Sequence, residues 1–152
     1  VNLLPGYVLG GDELVKKSSG LQQNSNGLAM SVRQGLISTV ARPEVITHIE
    51  DVARIHIAAL DEEKVLRNQT YILEGGKEGE KVVFEDVNEI IRREFPGAVE
   101  RGWVKGEGKP VPAYQVIDSS ETKKKFGELK GYDEVVRDLL KQWVRLKEEG
   151  RE

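Results

Sequence analysis

The chain has 152 residues, with 23 basic and 26 acidic side chains and a formal net charge of −3. That near balance gives no electrostatic case for nucleic acid or an anionic membrane, and the absence of cysteine excludes disulfides, thiolate zinc sites and a cysteine nucleophile. Hydrophobic residues make up 38%, low for a self-contained domain, and no apolar run approaches the roughly 18 residues that a membrane helix needs.

Residues 1–11, VNLLPGYVLGG, read as a strand over Val1 to Leu4, a Pro5-Gly6 turn and a second short apolar piece, Tyr7 to Leu9, that runs into Gly10-Gly11. A continuous apolar strand suits a sheet covered on both faces. A domain seldom begins inside such a strand, and the only Met is Met30, so the chain is expected to be the C-terminal part of a larger protein. Asp12 to Lys17 opens a loop or short helix, and Ser18 to Gly27 has the polar, Gly-containing composition of a loop. Leu28 to Ile37 is expected to be helical, with Leu28, Val32 and Leu36 on one face.

Arg42-Pro43 breaks the chain before a short strand, Val45 to His48. Thr47 with Glu50 three residues on forms a capping-box pattern, and Ile49, Val52, Ala53, His56, Ile57 and Leu60 then fall on one helical stripe. Gln69 to Glu74 reads as a strand closed by Gly75-Gly76. Val83 to Phe95 reads as a helix with Val83, Val87, Ile90 and Ile91 inward, stopped by Pro96-Gly97. Arg101 to Pro112 is a Gly- and Pro-rich loop containing Trp103, followed by a short extended piece, Tyr114 to Ile117. Asp118 to Phe126 is a short helix, capped by Asp118 and ended by Gly127; the last helix, about Asp133 to Glu148, buries Val135, Val136, Leu139, Leu140 and Trp143. Strands alternating with helices argue an α/β layer structure.

Four pieces recur in the same order in one family: LLPGYVLGG, ITHIEDVARIHIAAL, QTYILEGG and VIDSSETKKKFGELKGYDEVVRDLLKQW. In these the chain resembles the C-terminal half of an extended short-chain dehydrogenase/reductase, the NAD(P)-dependent epimerase/dehydratase superfamily, in its dihydroflavonol reductase and aldehyde reductase branch. The resemblance implies the C-terminal part of a Rossmann-type α/β fold: the last sheet strands plus a smaller, mostly helical substrate-binding region. Residues 1–152 would then form a single incomplete domain, with sheet strands at 1–11 and 69–76, substrate-side regions at 12–60 and 97–131, and a C-terminal helix at 132–148. It implies NAD or NADP as the parent enzyme's cofactor, a small-molecule substrate and a cytoplasmic location.

The family's Gly-rich nucleotide turn and its Tyr-x-x-x-Lys pair are not in this chain. Tyr7, Tyr71, Tyr114 and Tyr132 are followed four residues later by Gly11, Gly75, Asp118 and Val136. The Lys lowers the Tyr pKa so that it can supply a proton, and the pyrophosphate needs the Gly turn at a helix N-terminus. This chain alone is therefore expected to be inactive, with no tight cofactor binding. What the resemblance carries over is the nicotinamide edge, at Leu4, Pro5, Gly6 and Val8; the family often has Asn where Leu4 stands. Gly10, Gly11 and Trp103 are implied on the substrate side.

Other readings stand beside these. A sugar-nucleotide epimerase or dehydratase would need a diphosphate-binding Arg cluster, for which Arg92, Arg93 and Arg101 are the candidates. A non-catalytic module, self-associating as a homodimer through an exposed sheet edge, is the alternative of a different class. His48, His56 and Asp51 could in principle make a two-His, one-carboxylate metal site; the blander reading, a helix-face His56 and a first-turn Asp51 favoured by the helix dipole, is preferred. GGKEGEK lacks the spacing of a phosphate loop, Lys123 to Lys125 read as a solvated helix face, and Ser119-Ser120 read as capping residues.

Overall fold

The computed structural model describes residues 1–23, 25–33, 35, 37–43, 45–65, 68–75, 84–113 and 117–152. In chain order the elements are β1 (Asn2–Pro5), β2 (Tyr7–Leu9), α1 (Asn26–Arg33), β3 (Ile37–Pro43), β4 (Ile46–His48), α2 (Ile49–Ala58), β5 (Thr70–Leu73), α3 (Phe84–Glu94), α4 (Pro96–Glu100), β6 (Lys109–Ala113), α5 (Ser120–Phe126) and α6 (Tyr132–Glu148), with a 3-10 turn at Ser18–Gln22.

The strands form three parallel pairs, β1 with β5, β2 with β4 and β3 with β6. Parallel neighbours need long crossovers, and here the chain from β2 through α2 supplies the one between β1 and β5. Asn2 faces Thr70 and Pro5 faces Leu73, so the C-terminal ends of β1 and β5 lie side by side. The β1–β5 and β2–β4 pairs are stitched together at these ends. The Gly6 N–H donates to the Leu73 carbonyl (3.3 Å) and to Thr47 Oγ1 (3.0 Å), and the Gly75 N–H donates to the Ile46 carbonyl at 2.8 Å. Side chains do not fit at this junction: a Cβ on Gly6 would lie 2.5 Å from the Val45 carbonyl oxygen, and one on Gly75 would lie 2.2 Å from the Lys130 carbonyl oxygen.

Two cores result. The larger gathers around α6, whose Val135, Val136, Leu139, Leu140 and Trp143 are buried as the sequence pattern predicts, together with Leu146, and it joins Leu9, Leu21, Met30, Ile46 and Ile91. The smaller holds Ile55, Val65, Tyr71, Leu73 and Leu129, with Phe126 edge-on to Tyr71 at 4.9 Å. Glu134 reaches back to the Gly131 N–H at 3.0 Å to start α6; Gly131 has no side chain to complete the reciprocal bond.

Several expectations are corrected. The helix expected at 28–37 runs from Asn26 to Arg33 and Ile37–Pro43 is a strand, because the chain passes through a left-handed Gly35 (φ 68°) between them. Leu36 lies outside the described residues. Residues 109–112, expected within a loop, form β6 with Ala113 despite Pro110 and Pro112; among the described residues β3 and β6 pair with each other alone, so each has a second edge where a missing N–H costs no ladder bond. Of the extended piece expected at 114–117, residues 114–116 lie outside the described residues, as do Gly76 to Val83. Pro96 ends one helix but also occupies the first turn of α4, where its missing N–H is no loss.

The stripe on α2 is also corrected. Ile57 and Leu60 are 71% and 81% exposed, Ile49, Ala53 and His56 are exposed too, and the buried positions are Asp51 and Ile55. The reason is electrostatic. Asp51 accepts from Arg54 Nε and from the Lys130 N–H, both at 2.7 Å, while Arg54 donates to the Phe126 and Glu128 carbonyls, both at 2.6 Å. This polar face is fully hydrogen-bonded to the 126–130 segment, so the apolar stripe is turned outward. Strand β1, expected to be covered on both faces, is mostly exposed, with Val1 and Leu4 about half open.

Truncating Trp143 to Ala should cost about 3–5 kcal/mol, whereas Ile57→Ala should stay within about 0.5 kcal/mol. Guanidinium unfolding of the two variants checks the assignment of inside and outside.

Candidate functional site

The candidate site starts where β1 ends. Leu4 and Pro5 are exposed there, Val8 is half-buried in β2 opposite Thr47, and the Gly6 N–H is committed to Leu73 and Thr47. Pro5 has no N–H, so this edge offers an open, uncharged apolar surface at the C-terminal end of two parallel strands. Such a surface suits a flat, uncharged ring rather than an anion.

Beyond β2 the chain enters the loop at Gly10 (φ 147°). A Cβ there would lie 2.6 Å from Ile49 Cγ2, so this position is restricted to glycine by both conformation and space. Gly11 lines an open cleft of 610 Å³ between this loop, the start of α2 and the middle of α6, whose walls include His48, Ile49, Asp138 and Gln142. The structure thus brings Gly10 and Gly11 to one cleft. Trp103 does not line it: its ring packs edge-on against Trp143 at 6.2 Å, with the Arg101 guanidinium 4.8 Å above.

The cleft's floor is set by His48, which is 1% exposed. Its Nδ1 accepts the Glu50 N–H at 3.1 Å, capping α2 in place of the expected Thr47 box. Since Nδ1 accepts, the proton of the neutral ring sits on Nε2, which donates to Asp138 Oδ2 at 3.0 Å. Lys130 completes the group, 2.5 Å from Glu50 Oε2 and 3.7 Å from Asp138 Oδ2, and the Glu50 bond raises its ammonium pKa above the ordinary value. His56 is on the outer face of α2 with Nδ1 on the Val52 carbonyl, and Asp51 is held by Arg54 and Lys130, so the three residues weighed for a metal do not converge. Arg92 (on the Gly106 carbonyl), Arg93 (on Glu94) and Arg101 (on Glu148) are each occupied locally and form no shared anion site. Asp118 accepts the Ser120 N–H at 2.9 Å at the entry to α5.

Sequence reasoning missed the groups that hold this region. Thr47, read as a cap, is a buried bridge between strands. Asn26 and Gln142, in segments read as loop and helix surface, both reach the Gly10–Asp12 backbone. No local pattern marks contacts between residues 16 and 130 positions apart.

No family model matches the chain. A ketoreductase of Cercospora beticola is 32% identical over 162 aligned residues, which cover 100% of this chain and 44% of that protein; the ketoreductase of Cercospora nicotianae matches to the same extent. An NAD-dependent epimerase/dehydratase of Gibberella moniliformis is 28% identical over 125 residues, covering 78% of this chain and 31% of that protein. Among solved structures, yeast methylglyoxal/isovaleraldehyde reductase Gre2 complexed with NADPH superposes at a TM-score of 0.62, with 18% identity, over 96% of this chain and 46% of that one. The chain is thus similar along its whole length to part of a ketoreductase, and over most of it to part of an NAD-dependent epimerase/dehydratase. Its fold is the α/β fold of the matching part of Gre2, a structure that holds NADPH, and the Gibberella protein is named as NAD-dependent. The chain spans less than half the length of the curated relatives it matches. Among the described residues no helix is long and apolar enough to cross a membrane.

One carboxyl beside the stitched strand ends is perturbed. Glu74 follows β5 half-buried, and burial pushes its pKa up, opposed only in part by the Lys123 ammonium. A raised folded-state pKa means that the native state holds this proton more tightly than the unfolded chain. Its contribution is therefore fully present below the ordinary glutamate value and is lost as pH rises through the folded value. Glu74→Gln should raise the melting temperature at neutral pH and give no gain in acid, as read by thermal melts across pH. Gly10→Ala should destabilise by about 1–3 kcal/mol from backbone strain alone, read by denaturant unfolding.

Proposed function

We propose that this chain is the substrate-side half of an NAD(P)-dependent oxidoreductase that reduces a carbonyl of a small organic substrate. The observation that carries the reading is the juxtaposition of the open apolar edge at Leu4, Pro5 and Gly6 with the Gly10–Gly11 loop and its cleft. A ring laid on the first and a substrate seated along the second would share one side of the fold. The identity to ketoreductases along the whole chain supports the same reading. In this arrangement residues 1–11 and 69–76 continue the nucleotide-binding sheet, and residues 12–60 and 97–131 shape the substrate side.

Leu4, Pro5, Gly6 and Val8 would hold the nicotinamide end. Bound there, the cofactor supplies the hydride. The chain's own residues keep the ring against an apolar wall, exclude water from one side of it and fix the loop that faces the substrate. The proton donor and the pyrophosphate site belong to sequence outside this chain. The free edge of β1 offers its backbone groups to a further parallel strand, as a longer sheet requires.

The turnover assay is direct. The chain alone, mixed with NADPH and isovaleraldehyde, should oxidise no NADPH; joined to a cofactor-binding half of the same family it should. Enzyme-like turnover by the chain alone would overturn the half-enzyme reading.

A second reading, self-association without catalysis, is favoured by one observation: Ile57 on α2 and Leu60 just after it, with Leu4 on β1 and Val1 before it, are exposed apolar residues. Light scattering of the purified chain separates the two. A homodimer with no gain of activity on joining the second half supports self-association, and a monomer removes it.

A further inference from the structure

The Gly10–Asp12 backbone is gripped twice, by side-chain amides from two distant helices. The Gly10 N–H donates to Asn26 Oδ1 at 3.1 Å, and Asn26 Nδ2 donates back to the Gly10 carbonyl at 2.9 Å. The Asp12 N–H donates to Gln142 Oε1 at 2.8 Å, and Gln142 Nε2 donates to the Asp12 carbonyl at 2.6 Å. A carboxamide carries one acceptor and a donor side by side, the complement of a residue's own C=O and N–H, and each amide can satisfy this pair in only one orientation. Asn26 opens α1 and Gln142 lies in the middle of α6, so both clamps are anchored on regular structure.

Gly11 sits between the clamps. It lines the 610 Å³ cleft, and its own N–H and C=O have no hydrogen-bond partner among the described residues. A Cβ at Gly11 would lie 3.1 Å from Gln142 Oε1, so the glycine also lets the second clamp close. The two bidentate grips hold the two peptide groups that flank Gly11, one by the Gly10 C=O and the other by the Asp12 N–H, and leave the Gly11 N–H and C=O facing the cleft. They fix a main-chain donor and acceptor in place before any ligand arrives, which lowers the ordering cost of binding.

From this geometry we infer that Asn26 and Gln142 are positioning residues that hold the Gly11 peptide as the docking point for a neutral polar arm of the substrate, a hydroxyl, carbonyl or carboxamide group. An anionic arm is disfavoured by the lining, where Asp12, Glu13, Glu50 and Asp138 outnumber Lys141 and Arg145, and the Gly11 N–H and C=O are themselves neutral partners. The role rests on the reductase reading above, since it is the substrate of that reaction that the loop would meet.

The test uses two isosteric variants on separate elements, Asn26→Asp and Gln142→Glu. Each replaces the donating NH2 by a carboxylate oxygen aimed at a carbonyl, breaking half of one clamp without changing volume. In the chain itself, amide hydrogen exchange by NMR should speed up about tenfold at Gly10 in Asn26→Asp and at Asp12 in Gln142→Glu, while α6 amides keep their rates. In the longer protein that the reductase reading requires, with NADPH and isovaleraldehyde as probes, KM should rise about tenfold with kcat within about twofold. A merely structural role would lower the amount of active protein and leave KM unchanged. Faster exchange with unchanged KM in both variants would overturn the docking role, and unchanged exchange would overturn the clamps. If one variant fails to fold, the other decides. If the wild-type longer protein turns over no NADPH, the reductase reading falls and the docking role with it; the exchange rates then still decide whether the clamps order Gly11.

Discussion

Everything near the candidate site hangs on one buried hydroxyl. Thr47 is fully buried in β4; its Oγ1 accepts the Gly6 N–H and donates to the Leu73 carbonyl. Four strands meet there. Gly6 leaves β1, Leu73 ends β5, and Thr47 itself pairs with Val8 of β2. A hydroxyl is the smallest group that can donate and accept at once, so it joins two strand pairs that share no ladder of their own. Buried backbone groups left without this partner would each cost about 1–3 kcal/mol. The same node fixes the direction in which the chain leaves β1, and thus where Pro5 and the Gly10 loop come to lie.

Around that node the chain alternates between regular elements that anchor and short irregular segments that present. Strand β4 runs straight into α2, and His48 at the joint uses both ring nitrogens, one on the helix N-terminus and one on α6. Asp51, Arg54 and Lys130 tie the same helix to the 126–130 segment. With the polar side of α2 satisfied in this way, its apolar side is left outward, at Ile49 and Ile57.

Much of this was legible in the chain itself. The α6 stripe of Val135, Val136, Leu139, Leu140 and Trp143 gave that helix and its inward face, and Pro5-Gly6, Gly75 and Gly127 mark real ends of elements. What escaped is what depends on distant partners. Periodicity locates the stripe on α2 but cannot say which side is buried when a charged pair on the other side is fully bonded. The strands β3 and β6 carry prolines that read as breakers, and only their mutual pairing makes them strands. Thr47 and Glu50 have the spacing of a capping box, yet His48 takes the cap because Thr47 is drawn into the core. The clamps on Gly10 and Asp12 come from α1 and α6, and nothing in the local sequence around Gly11 announces them.

The most direct measurement is the position of NADPH in a crystal structure of this chain joined to a cofactor-binding half, as the proposed function requires. The nicotinamide ring should rest on Leu4, Pro5 and Gly6, with the adenine and pyrophosphate held by residues outside this chain. A cofactor held wholly within these 152 residues, or a nicotinamide ring remote from the Pro5 edge, would contradict the assignment of this chain as the substrate-side half.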